Sequence, residues 1–74
     1  MKNLYSVSKN KVFRIVSVPD IALLKNLGVY TNREVVVQNR YAFGGPVLLR
    51  VQDTYSVALG KDIAKKIEVQ EVTI

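Results

Sequence analysis

The stretch Tyr41-Ala42-Phe43-Gly44-Gly45-Pro46 decides how this chain folds, because it ends one apolar run and opens the next. Glycine reaches positive φ angles without steric cost, whereas proline fixes φ near about −65° and has no N–H to donate. We therefore interpret residues 41–45 as a loop between two strands. Two aromatic side chains, Tyr41 and Phe43, lie close to the tip of this loop. They either fold back onto the core or face a partner.

Short runs rich in β-branched and aromatic residues surround this loop, which is typical of strands. The predicted strands are Lys11–Val18, Glu34–Arg40, Pro46–Val51, Tyr55–Leu59 and Ile67–Val72. Gln52-Asp53-Thr54 is predicted to form a tight hairpin turn, and residues 60–65 a single helical turn. Five short strands with hairpin connections predict an all-β fold, a small and partly open five-stranded barrel.

One two-turn helix is predicted between the first and second strands, over residues 20–27. Asp20 follows a proline and is expected to cap the helix, because its carboxylate can accept the free amides of the first turn. Gly28 fits the position just after the helix, where a left-handed backbone is common. The spacing predicts one apolar face made of Leu23, Leu24 and Leu27.

Length and composition indicate one domain with a narrow stability margin. A chain of 74 residues buries only about 60% of its unfolded surface, and without cysteine it has no disulfide to add stability. No apolar run approaches the ~20 residues that span a bilayer, and the N-terminus lacks the apolar core of a signal peptide. We expect a soluble cytoplasmic protein. Its net charge of +5 favours acidic partners, or simply maintains solubility.

The residue inventory disfavours catalysis and metal binding. The chain has no histidine and no cysteine, so it lacks the usual neutral-pH base and the commonest zinc ligands. Its six acidic residues form no calcium-loop pattern, and Gly44-Gly45 does not open a helix as a phosphate loop would. We predict no enzyme activity, no catalytic or metal-binding residues and no cofactor. Binding remains, with candidate aromatic contacts at Tyr5, Tyr30, Tyr41, Phe43 and Tyr55; Tyr55 is expected to cap the barrel instead.

Four segments in series resemble the FeoA family, the small ferrous iron transport protein A. They are Leu24–Val29, Glu34–Val37, Phe43–Val47 and Val57–Val69. The resemblance covers about residues 10–70. The chain departs from the family pattern at Asn10, where a glycine is usual, at Thr31-Asn32, where a Pro-Gly type turn is usual, and at Ala42, which is often proline. Losing that proline predicts a mobile loop, because the unbound loop then has more conformations.

The resemblance implies a single SH3-like domain over residues 1–74, acting in the cytoplasm as an accessory of bacterial ferrous iron uptake. It implies one partner, the cytoplasmic GTPase part of the ferrous iron membrane transporter, and membrane contact only through that transporter. No small-molecule substrate is expected. The hypothesised partner-binding residues are Leu24, Arg40, Tyr41, Phe43, Gly44, Gly45 and Pro46.

Two alternatives use the basic residues. In the first, the barrel binds nucleic acid, with Arg14, Arg40 and Arg50 gathered in space to follow a phosphate backbone while aromatic side chains stack on bases. In the second, Arg40 is supplied in trans to stimulate GTP hydrolysis.

Overall fold

A computed structural model describes residues 2–73, which form one antiparallel sheet and two short helices. In chain order the elements are β1 (Lys2–Asn3), β2 (Val12–Ser17), α1 (Ala22–Asn26), β3 (Glu34–Arg40), β4 (Val47–Val51), β5 (Tyr55–Leu59), α2 (Lys61–Ala64) and β6 (Glu68–Glu71). The strands lie in the order β1-β6-β2-β3-β4-β5, so the sheet keeps two free edges. The predicted small, partly open all-β fold is confirmed.

The core consists of the inward-facing residues of the curved sheet, one residue from each helix, and four residues from the connecting segments. Along β4, for example, Val47, Leu49 and Val51 are fully buried while Leu48 and Arg50 between them are half-buried, as the two-residue period of a strand requires. The fully enclosed apolar set also includes Leu4, Val7, Phe13, Ile15, Leu24, Val29, Val35, Val37, Leu59, Ala64, Ile67 and Val69. Within residues 2–73, no polar or charged residue is buried.

The first strand is an addition to the five that the sequence predicts. Lys2 and Asn3 pair with Val69 and Glu68 of β6, and the N–H of Leu4 donates to the carbonyl of Ile67 at 2.9 Å. A polar two-residue strand has no periodicity to detect. It forms because Leu4 and Val7, both buried, anchor the N-terminal segment across the sheet.

Several tight turns place non-glycine residues at positive φ. Asn32 (φ 75°) and Asp53 (φ 57°) have such angles, which their short polar side chains tolerate. Asn10, where the family usually has glycine, also has a positive φ of 65°. Gln52 (φ 50°) and Asp53 form consecutive left-handed residues in the β4–β5 hairpin, the backbone combination of a type I′ turn.

The structure corrects the predicted start and face of helix α1. The helix begins at Ala22, with Ile21 at the capping position and no side-chain hydrogen bond there. Asp20 lies one residue too early to cap it. The three leucines do not share one environment: Leu24 is buried, Leu27 is half-buried and Leu23 is 58% exposed. Adjacent residues of a helix project about 100° apart, so Leu23 and Leu24 do not both face the core and Leu23 is left outside.

The end of α1 is built as predicted around Gly28. The N–H of Val29 donates to Leu24 O at 2.8 Å and that of Gly28 to Lys25 O at 3.0 Å, the two bonds of a Schellman motif. Gly28 has a φ of 80°. A side chain there would collide with the hydroxyl of Tyr55, which donates to Leu27 O at 2.6 Å. Tyr55 therefore joins β5 to α1 across one end of the sheet, in agreement with its predicted capping role.

The two adjacent leucines of α1 provide a matched test of the core. Leu24→Ala should lower the free energy of unfolding by about 2–5 kcal/mol, because it leaves a cavity in a well-packed site. Leu23→Ala should change it by less than about 0.5 kcal/mol, since that side chain is mostly in solvent. Urea unfolding followed by circular dichroism measures both. Equal losses would contradict the orientation of the helix.

Gly28→Ala should lower the free energy of unfolding by more than about 1 kcal/mol, because alanine is strained at positive φ and meets the Tyr55 hydroxyl. Gly60→Ala is the matched control: Gly60 has a φ of −62° and open space around it. In a Tyr55→Phe background the cost of Gly28→Ala should shrink, because the colliding oxygen is gone. A cost that Tyr55→Phe leaves unchanged would show that only backbone strain acts at Gly28.

Candidate functional site

The loop between β3 and β4 is a tight turn with an aromatic residue at its tip. The N–H of Tyr41 donates to Pro46 O at 3.1 Å and closes the base, and that of Gly45 donates to Ala42 O at 3.3 Å. Between them, Phe43 (φ 60°) and Gly44 (φ 75°) both have left-handed backbone angles. Two consecutive positive φ values at the centre of a four-residue turn give the type I′ geometry, which matches the twist of the flanking strands.

Phe43 is the unusual residue of this turn. The left-handed region is the place for glycine, asparagine or aspartate, and a bulky aromatic there is a genuine outlier that costs about 1–2 kcal/mol. Its side chain is fully exposed, at 106% of the reference area, so no burial on its own chain offsets that cost. The question that the sequence left open for Phe43 is therefore answered: it faces solvent and does not fold back onto the core.

The other residues of the loop hold Phe43 in its solvent-facing position. Tyr41 is 47% exposed and lies beside the tip. A side chain on Gly45 would come within 2.9 Å of the Tyr41 Cβ, so only glycine allows the loop to return this closely past Tyr41. Gly44 and Pro46 are exposed and Gly45 is half-buried. The structure thus places five of the predicted site residues, 41 and 43–46, on one contiguous loop.

A basic and aromatic cluster lies beside this loop. The Tyr5 ring has the Lys61 amino group 5.6 Å from its centroid and the Arg40 guanidinium carbon 6.0 Å from it. The Lys61 stem passes near Gly44, because a Cβ built on that glycine would lie 3.7 Å from Lys61 Cδ. Lys61 was not predicted to be part of this site, and Tyr5 was predicted only as one of five candidate aromatic contacts. They lie far apart in sequence, and only the pairing of the strands brings them together.

The positions of Arg40 and Leu24 do not suit the docking role that was hypothesised for them. The Arg40 guanidinium donates to the carbonyl of Val7, and its Nε is buried without a partner in the described chain. It therefore holds the N-terminal segment against β3 and does not extend toward a partner, which also disfavours its use as an arginine in trans. Leu24 is 1% exposed and belongs to the core, so its side chain is not on the docking surface.

The arginines proposed for nucleic-acid binding are each engaged within the chain. Arg14 lies 3.5 Å from a Glu34 carboxylate oxygen, and Arg50 Nε lies 3.1 Å from Asp53 Oδ1. With Arg40 bonded to Val7, the three do not form the free basic groove that tracks a phosphate backbone.

Within residues 2–73, no group of three or more His, Cys, Asp or Glu residues is placed to hold a metal ion. No helix in this part of the chain is long and apolar enough to cross a membrane. A surface groove of about 700 Å³ runs between α1 and the β2–α1 connection and is lined mainly by apolar side chains such as Val18, Ile21 and Tyr30.

An open antiparallel sheet with an enclosed apolar core and a solvent-facing aromatic loop defines a small SH3-like domain that presents its chemistry on loops and edges. The particular family follows from the sequence. The family model for the FeoA domain matches residues 2–71, and the chain belongs to the FeoA family. The resemblance to FeoA seen in the sequence is thereby confirmed.

Solved structures share this fold. A manganese-dependent transcriptional repressor aligns with a TM-score of 0.83 at 19% identity, covering 95% of this chain and 41% of the repressor. An iron uptake regulatory protein (FeoA) aligns at 0.82 with 18% identity, covering 95% and 94% of the two chains. A FeoA-like protein from Clostridium acetobutylicum aligns at 0.79 with 21% identity, covering 97% and 87%.

This chain spans less than half of the repressor, so the likeness to that protein concerns one domain of it. At these identities the structures establish the fold alone. Among curated proteins, none matches this chain by sequence.

Phe43→Asn should raise the free energy of unfolding by about 0.5–1 kcal/mol, because asparagine tolerates the left-handed backbone and the aromatic ring makes no buried contact. Phe43→Ala, which also removes the ring but keeps most of the strain, should change stability by less than about 0.5 kcal/mol. Thermal and urea unfolding measure both. If both variants lose more than about 1 kcal/mol, the ring contributes to packing and the interpretation of Phe43 as a free surface group is wrong.

Proposed function

We propose that this protein is a cytoplasmic accessory of bacterial ferrous iron uptake that binds the cytoplasmic GTPase part of the ferrous iron membrane transporter through the β3–β4 loop. Membership of the FeoA family supports the ferrous iron context. The docking surface consists of Tyr41, Phe43, Gly44, Gly45 and Pro46, with Lys61 at its side. No chemical step is assigned to the protein, and its effect on the transporter is exerted through contact.

The observation that carries this proposal is the combination of strain and exposure at Phe43. An aromatic side chain with a left-handed backbone and full solvent exposure carries a backbone strain that no burial on its own chain offsets. A binding partner with a pocket for the Phe43 ring would explain why an aromatic residue occupies this exposed and strained position. Aromatic side chains at the centre of an interface contribute most of the binding energy of many complexes.

The surroundings of Phe43 indicate the chemistry of the partner surface. Lys61 has no carboxylate partner within the described chain, and it lies beside the loop with its amino group over the Tyr5 ring. The net charge of +5 adds a general attraction to acidic surfaces. The complementary site would be an apolar pocket for Phe43 with carboxylates at its rim.

Phe43→Asn should weaken binding to the purified GTPase domain of the transporter at least about tenfold, equivalent to about 1.4 kcal/mol, because it removes the anchor without damaging the fold. Biolayer interferometry or a chemical-shift titration measures the dissociation constant.

Tyr30→Asn is the matched control. Tyr30 is also an exposed aromatic, at 41%, but it stacks on Arg33 and lines the groove beside α1. Tyr30→Asn should leave the dissociation constant within about twofold of the wild-type value, whereas about 1.4 kcal/mol corresponds to a tenfold change. An absence of wild-type binding at about 1 mM protein would refute the partner, because affinities weaker than this fall below about 4 kcal/mol. Equal losses from the two variants would refute the loop as the docking surface.

A further inference from the structure

The outer edge of β5 offers backbone groups that no residue of the described chain satisfies. Gln52 N–H donates to Glu34 O at 2.8 Å, so residue 52 faces β3. Because backbone groups alternate in direction along a strand, Val51, Leu49 and Val47 direct theirs to β5. Their register partners are Tyr55, Val57 and Leu59. The N–H and C=O groups of Ser56 and Ala58 consequently point away from the sheet.

This edge lacks the features that usually protect an edge strand. Proteins protect such edges with charges, proline, bulges or very short strands. The opposite edge, β1, is only two residues long. In contrast, the β5 sequence Tyr-Ser-Val-Ala-Leu has no charge and no proline, and it pairs with β4 over five residues without a register shift. Ser56 and Ala58 are exposed.

We propose that β5 is a self-association edge, at which two copies of this chain pair antiparallel and continue one sheet across both molecules. An interface between identical surfaces has a two-fold axis. With the axis at Val57, Ser56 of one copy faces Ala58 of the other. Both are residues with outward backbone groups, so the two strands exchange hydrogen bonds on either side of a central Val57–Val57 contact.

The charges at the two ends of β5 select this register. Antiparallel pairing about Val57 brings the β4–β5 turn of one copy, which carries Asp53, to the same end of the interface as the first residue of α2 in the other copy, Lys61. The Asp53 side chain is 97% exposed, with only one carboxylate oxygen in contact with Arg50. Lys61 has no carboxylate partner within the described chain, so the dimer places one pair of opposite charges at each of its two ends.

A second copy fits this edge better than an unrelated strand does, because Ser56 and Ala58 supply a self-complementary hydrogen-bond pattern and Asp53 and Lys61, which flank β5, supply opposite charges at each end. The contact is small compared with a standard interface of about 1,600 Å², so a weak and concentration-dependent dimer is expected. Proline at position 58 would remove an outward N–H while leaving the β4–β5 ladder intact.

Sedimentation velocity on the full chain tests the proposal. Protein concentrations from about 10 μM to about 1 mM cover micromolar to millimolar dissociation constants. The wild type should shift from monomer to dimer as concentration rises. Ala58→Pro should stay monomeric across the range, and a native-like amide spectrum for this variant would show that its fold is intact. A wild type that stays monomeric throughout, or a dimer that Ala58→Pro leaves unchanged, overturns the proposal.

The register has its own test. Lys61→Glu places two negative charges together at each end of the interface and should weaken the dimer at least about tenfold. Lys66→Glu makes the same change in net charge at an exposed position after α2 and should weaken it far less. Equal effects of the two variants would overturn the pairing about Val57.

Discussion

The burial of a fully apolar core against one curved sheet is the interaction on which the rest of this structure depends. The chain has no disulfide, and its described residues bury no polar or charged side chain, so stability rests on the close packing of groups such as Phe13, Ile15 and Leu49. A domain this small has little stability to spare. The consequence for function is direct: the interior is filled with aliphatic and aromatic side chains, and whatever this protein recognises must meet its loops and edges.

Two features of the surface do not contribute to the stability of the fold, and both lie outside the core. Phe43 combines a left-handed backbone with complete exposure at the tip of the β3–β4 loop. The β5 edge presents unpaired backbone groups on a strand without charge. The remaining surface is conventional by comparison, because Arg14 and Arg50 have carboxylate neighbours and Arg40 holds the N-terminal segment. Lys61 lies near the loop tip at Gly44 and two residues after the end of β5.

Much of this architecture could be predicted from local patterns. The β3 and β5 boundaries agree with the β-rich runs, and the left-handed positions at Gly28, Asn32 and Asp53 follow from the residue types that tolerate positive φ. The errors came from elements too short to have a period. Helix α1 has five residues, so spacing alone could not decide that Leu24 turns inward and Leu23 outward. Strand β1 has two residues and forms only because Leu4 and Val7, which follow it, are buried in the shared core.

The sequence by itself determined the fold class, the FeoA family and the unsuitability of the chain for histidine- or cysteine-based chemistry, because those depend on residue types and their order. It also located the loop at residues 41–46. Only the tertiary structure decided which side chains are available there. Phe43 projects because two consecutive left-handed residues turn it outward, and Arg40 is withdrawn because Val7, distant in the chain, accepts its hydrogen bond. Tyr5 and Lys61 join the same surface through strand pairing, and pairings between distant segments are set by the shared core and by no local signal.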